Sequence, residues 1–147
     1  MSFIIMKKRV LIILFICTLA FIWGHSMVPR PASADESGFV LQLLYPVLTS
    51  FLKPELVTDH LVRKMAHFTE YFVLGMELFG LLSFFSKNRW IVLKSVEYAF
   101  FAAFVDESIQ ILSHRGSMIS DVWLDTAGAA AGVLLVRLVS YIRAARK

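Results

Sequence analysis

Long apolar runs alternate with short polar joints along this chain. The runs fall at about 10–28, 65–85, 90–112 and 122–141, and they are apolar all round rather than striped at the helical period. About twenty such residues in helical form match the thickness of a bilayer's hydrocarbon, so each run reads as a spanning helix. Pro29 and Pro31 are expected to close the first of them. Residues 32–38 then read as a polar loop. The stretch 39–52 is apolar but short and is interrupted by Pro46, which fits an interfacial or re-entrant segment. Pro54 and Glu55 read as the start of the next helix, with proline in its tolerated first turn. Ser120 reads as the N-cap of the fourth helix, with Asp121 where the helix dipole favours negative charge. The expected fold is a single-domain, all-α integral membrane protein. It is a bundle of four transmembrane helices with a short interfacial or re-entrant segment between helices 1 and 2.

Composition sharpens this picture. Hydrophobic residues make up 58% of the chain and charged residues 18%, well away from a soluble balance. The net charge of +4 comes from basic residues at segment ends. Lys7, Lys8 and Arg9, then Lys87 and Arg89, then Arg143, Arg146 and Lys147 fall on one side of a four-span bundle. Both termini of a multi-pass cell-membrane protein are then cytoplasmic. Arg30, Lys53, Arg63, Lys64 and Arg115 lie on the other side, so the orientation rests on a bias. No basic run interleaved with aromatics offers a nucleic-acid surface. The single cysteine, Cys17, excludes an internal disulfide and reads as a small buried or lipid-facing residue. Ala32-Ser33-Ala34 has the form of a signal cleavage site. Pro29, Arg30 and Pro31 separate it from an apolar run that ends at Trp23, so an uncleaved first span is expected.

The chemistry-bearing residues gather at one level. Arg63, His67, Glu70 and Glu77 are spaced to share a face of the second spanning helix. Asp106, Glu107 and Gln110 lie near the end of the third, and Asp121 and Asp125 near the start of the fourth. With roughly 1.5 Å of rise per residue, His67, Asp106, Glu107 and Asp125 each sit on the order of 5–10 Å beneath the outer ends of their helices. Short joints make consecutive helices antiparallel neighbours, so a shared polar pocket opening outward is expected. Deeper in, the bland expectation is a Glu97–Arg137 or Glu77–Arg137 pair with Lys94 snorkelling. Gly128 and Gly132, among alanines, form a small-residue face that suits close packing within the bundle.

Four segments, RKMAHFTEY at 63–71, DESIQ at 106–110, HRG at 114–116 and DVWLDTAGAAAG at 121–132, together resemble VanZ-like membrane proteins. The segment around Ser26 and Pro29 is similar too. The resemblance implies a small bacterial polytopic protein whose namesake is linked to low-level resistance to the glycopeptide teicoplanin. It implies no settled biochemical activity. It adds Tyr71 to the candidate residues. Asp125 stands where many relatives carry Asn, which adds an acid to the pocket.

Three functions fit these residues. The first is recognition of an anionic envelope lipid or lipid-linked cell-wall precursor. Its candidate ligand-binding set is Arg63, Lys64, His67, Glu70, Tyr71, Asp106, Glu107, Gln110, Arg115, Asp121 and Asp125. Arg63 and Arg115 would grip the ligand, with Asp106, Glu107 and Asp125 as their counter-charges and His67 as the titrating member. The second is acid/base or metal-dependent catalysis on a lipid-linked substrate, with His67, Glu70, Asp106 and Asp125 as weaker metal candidates. It lacks a nucleophile, since Ser108 and Ser113 read as ordinary helix and loop serines. The third is proton-linked transport, which needs a polar path through the whole bundle. Membrane lipids are the expected partners, and no cofactor is expected.

Overall fold

The structure, a computed structural model, describes residues 2–86, 88, 90–113 and 118–146. The joint residues Lys87 and Arg89, the turn at His114, Arg115 and Gly116, and Lys147 lie outside the described residues. Among the described residues there is no strand. Five helices follow one another: α1 (Ser2–Ser26), α2 (Arg30–Leu48), α3 (Asp59–Phe85), α4 (Ile91–Leu112) and α5 (Ile119–Ala145).

Three of them, α1 from Met6, α3 and α5, are long and apolar enough to cross a membrane. The third expected span, α4, falls short of that standard through its charges. Lys94, Glu97, Asp106 and Glu107 all lie within its 22 residues. Large apolar side chains including Phe21, Phe51, Phe101 and Trp123 stand on the outside of the bundle. Lipid tails cover such a surface at no cost, whereas water would not. Cys17 is exposed on that surface.

Three local expectations need correction. The polar stretch 32–38 is helical, and the two prolines begin α2 rather than end α1, which stops at Ser26. Pro29 is the extended N-cap of α2 and Pro31 sits in its first turn, where a missing N–H does no harm. The polar residues satisfy themselves along the helix, with Ser37 Oγ donating to Ser33 O at 2.9 Å. Pro54 starts only a short 3-10 turn, Pro54–Leu56. The next helix is capped by Thr58, whose hydroxyl accepts the Leu61 N–H at 3.3 Å. Ser120 is not the cap of α5 either. Met118 holds that position, and Ser120 Oγ donates to the neighbouring Asp121 at 3.3 Å.

Contacts fix the relative directions of the helices. Lys8 lies 4.0 Å over the Phe85 ring and Thr18 donates to Glu77 at 3.0 Å, so α1 and α3 run antiparallel. Trp23 donates to Ala102 O and Ser113 to Ser26 O, so α1 and α4 run parallel. The pairs Phe68–Gly128 and Phe72–Gly132 advance together, so α3 and α5 are parallel as well. Ser26, His67, Asp106 and Asp125 consequently share one end of the bundle. The interior below them is mostly apolar, built on Leu74, Leu78, Ala99, Ala103, Ala129 and Val133.

The closest approach is between α3 and α5. A β-carbon at Gly75 would meet the backbone of Ala129, one at Gly128 the carbonyl of Phe68, and one at Gly132 the carbonyl of Phe72. The small-residue face is therefore spent inside the bundle. In the deeper half, Glu77 is buried and takes its hydrogen bond from Thr18 of α1 rather than pairing with Arg137. Glu97 and Arg137 both face outward, away from the bundle interior, and among the described residues they form no ion pair with each other.

Candidate functional site

Helix direction decides which polar residues can meet. With α3 and α5 parallel and α4 running against them, the outer turns of all three converge. His67 of α3 places Nδ1 3.5 Å from Asp125 Oδ1 of α5 and 4.0 Å from Asp106 Oδ2 of α4. Both aspartates are fully buried, at 0% exposure. Gln110, one turn beyond Asp106 on α4, donates to Asp106 Oδ2 at 3.1 Å and lies 3.5 Å from the Ser26 hydroxyl of α1. Tyr71, one turn inward from His67, is also fully buried.

This centre is under-satisfied. Asp106 Oδ1, Asp125 Oδ2 and the Tyr71 hydroxyl are buried with no hydrogen-bond partner among the described residues, and His67 Nδ1 and Asp125 Oδ1 meet only at the 3.5 Å ion-pair distance. Buried polar groups in native folds almost always find partners, and an orphaned one costs about 1–3 kcal/mol. Several together mark a site whose purpose is not stability.

The remaining candidates form a rim. Glu107 is buried, and its Oε2 accepts the Met118 N–H at 3.1 Å. It thereby holds the start of α5 against the end of α4. Asp121, in the first turn of α5, faces Lys64 at 3.8 Å. Arg63 pairs with Asp59 one turn back on its own helix, Nε to Oδ2 at 3.2 Å. The acids of the centre are therefore not its counter-charges, as the spacing suggested. Glu70 is half-buried on α3. Arg115 lies outside the described residues.

A cleft of about 160 Å³ opens between α1, α2 and α3. Its walls include His25, Glu36, Ser37, Arg63 and His67, so His67 belongs both to the cleft and to the buried centre. Across it His25 Nε2 and Glu36 Oε2 stand 3.2 Å apart, tying α2 to the end of α1. The α2 contribution was missed because 32–38 read as a loop. Its signal was present: Ser33, Glu36 and Ser37 fall three and four residues apart, on one face of a helix opened by proline.

Chemically, one imidazole and two carboxylates can hold a cation or pass a proton. They do not supply a nucleophile. Ser108 Oγ donates to Phe104 O at 2.7 Å and Ser113 Oγ to Ser26 O at 2.9 Å, so both hydroxyls are engaged by backbone.

No curated protein and no solved structure matches the chain at a significant level. A family model does. VanZ/LLP1 matches residues 11–140, a stretch that takes in α1 from its third turn on, the α2 cleft and all three helices of the buried centre apart from the last residues of α5. The residues that meet at one end of this bundle all fall within the matched stretch, and the chain belongs to the VanZ/LLP1 family of membrane proteins.

Proposed function

We propose that this protein receives the phosphate-bearing head of an envelope lipid or lipid-linked cell-wall precursor at the outer face of the cell membrane. The observation that carries the reading is the cleft between α1, α2 and α3, which connects Arg63 at its rim with His67 at the buried centre. Its volume of about 160 Å³ equals that of about five waters at roughly 30 Å³ each, enough for a phosphate group. Arg63 is held through Nε by Asp59, and the terminal N–H fork of a guanidinium is the part that matches a phosphate bidentately. The apolar outer surface of α2 and α3 would take the acyl or prenyl chain.

Purified protein in nanodiscs, incubated with polyprenyl phosphate or phosphatidic acid, tests this by native mass spectrometry. Arg63→Ala is expected to lower retention of the phosphate-bearing lipids by about ten- to a hundredfold, in line with about 1.5–3 kcal/mol for a hydrogen bond to a charged group. Equal retention by the variant and the parent rejects the reading. Masking such a component is one route to lowered glycopeptide susceptibility, so a teicoplanin phenotype is one instance of this function.

The reading includes a fourth span and an orientation. Packing supports the span: α3 and α5 are parallel and joined through α4, which packs against both, so two membrane crossings in the same direction require α4 to cross back. Its length of 22 residues, about 33 Å at 1.5 Å per residue, suffices. Lys7, Lys8, Arg9, Arg143 and Arg146 lie at the end away from the cleft, which supports a cytoplasmic position for that end. In a Cys17→Ser background, Glu55→Cys is expected to react with a membrane-impermeant maleimide on whole cells, and Ser86→Cys only after permeabilisation. Labelling of both from one compartment removes the outward-facing site.

Transport receives no such support. Beneath the centre Glu77 is buried against Thr18 of α1, but Lys94, Glu97 and Arg137 lie on the outside, so these three do not carry the polar centre inward.

A further inference from the structure

The buried centre poses a charge problem that the cleft alone does not solve. Asp106 and Asp125 are wholly withdrawn from solvent, and among the described residues His67 is the only basic group within 4.0 Å of either. With both carboxylates ionised, a protonated imidazole leaves one uncompensated negative charge in a low-dielectric site, which a proton on either aspartate or a cation between them removes. Two carboxylates with a neutral imidazole and one divalent cation leave none.

The donor geometry agrees. Two donors about 2.1 Å from one tetrahedral ion stand about 3.4 Å apart. His67 Nδ1 and Asp125 Oδ1 are 3.5 Å apart, and His67 Nδ1 and Asp106 Oδ2 are 4.0 Å apart. One donor atom from each of the three lies within 4.8 Å of the others, so side-chain rotation that moves a donor by about 1 Å closes the set. The atoms that would ligate include Asp125 Oδ2, which has no hydrogen-bond partner among the described residues, and His67 Nδ1 and Asp125 Oδ1, which meet only at the ion-pair distance. Gln110 already donates to Asp106 at 3.1 Å, as a residue that orients a metal-bound carboxylate does.

We infer that His67, Asp106 and Asp125 bind a divalent first-row metal ion, Zn²⁺ or Mn²⁺. One imidazole with two carboxylates is a borderline-to-hard donor set that suits these ions. Three protein donors leave coordination positions open, and a phosphate oxygen entering past His67 would complete them. This last step rests on the lipid-head reading; the metal site itself does not.

The full chain in nanodiscs is stripped with EDTA, reloaded with Zn²⁺ or Mn²⁺, desalted and analysed by inductively coupled plasma mass spectrometry. The parent is expected to hold about one ion per chain, and Asp106→Asn, Asp125→Asn and His67→Gln each to lose more than about tenfold in affinity. Glu97→Gln, exposed on the deeper half of α4, keeps the ion. Zinc-edge X-ray absorption of the loaded parent should show an imidazole in the first shell, which guards against variants that merely misfold. A parent that holds no ion, Asp106→Asn and Asp125→Asn variants that both hold it as well as the parent, or a first shell without imidazole overturns the inference. Lipid retention is read separately: an ion-free protein that still retains lipid through Arg63 sinks the metal site alone, and an ion-bearing protein indifferent to Arg63→Ala sinks the lipid reading alone.

Discussion

Gly132→Val will separate α5 from α3 and take the buried centre apart with it. The β-carbon alone would meet the carbonyl of Phe72, which is helix backbone and cannot turn aside. Gly128 stands in the same relation to Phe68, four residues earlier on both helices. The two helices can accept valine only by moving apart along this seam. Overpacking of a tight core costs about 1–3 kcal/mol. In a bilayer the loss is harder to recover, because lipid gives helices no hydrophobic reason to stay together and close packing carries the association. Asp125 lies one turn outward from Gly128–Gly132, so the same movement carries it away from His67. The expected result is a fall of many degrees in the midpoint of thermal unfolding, followed by fluorescence-detected size exclusion, and loss of any ligand bound at the centre. Gly24→Ala is the matched control with the opposite sign. Nothing lies within 4 Å of its added β-carbon, it sits inside α1, and alanine favours a helix over glycine by about 1 kcal/mol. A Gly132→Val protein as stable as its parent would mean that α3 and α5 do not pack through this seam.

The apolar runs announced α3, α4 and α5 because length and hydropathy are local properties. The convergence of His67, Asp106 and Asp125 followed from helix direction and rise alone, and the structure brings these three together. Partner choice was another matter. Arg63 sits on α3 near His67, yet it turns back to Asp59 four residues away, since a neighbour on the same helix costs less side-chain order than one across the bundle. Glu77 meets Thr18 because α1 lies against α3 at that depth, and no sequence spacing reports which helix occupies a given groove. The hardest stretch was α2. Two prolines and seven small or polar residues read as a break, and only the placement of Pro29 before the first turn and Pro31 within it distinguishes a helix start from a helix stop. That error hid the cleft, since Ser33, Glu36 and Ser37 reach it only if the segment is helical.

Stability and function should part company at Asp125. In the metal-free protein, kept in EDTA, Asp125 is a fully buried carboxylate whose ion pair with His67 is long, at 3.5 Å, and whose Oδ2 has no hydrogen-bond partner among the described residues, beside a second buried acid. Asp125→Asn keeps the volume, removes a charge and introduces an amide donor that Asp106 can accept. Replacing buried charge by a neutral group of similar shape is commonly neutral or stabilising by about 1–4 kcal/mol. His67→Ala acts in the opposite direction. It removes the one described basic group beside two buried acids, and stranding a buried charge in this way costs about 3–5 kcal/mol. Thermal midpoints in EDTA should therefore order Asp125→Asn at or above the parent and His67→Ala well below it. Ligand retention should order differently, with both variants impaired. A protein in which Asp125→Asn is as damaging to stability as His67→Ala would show that the carboxylate is part of the scaffold. If instead the orders split as expected, the acids are kept in the membrane at a cost to the fold, and binding is what retains them.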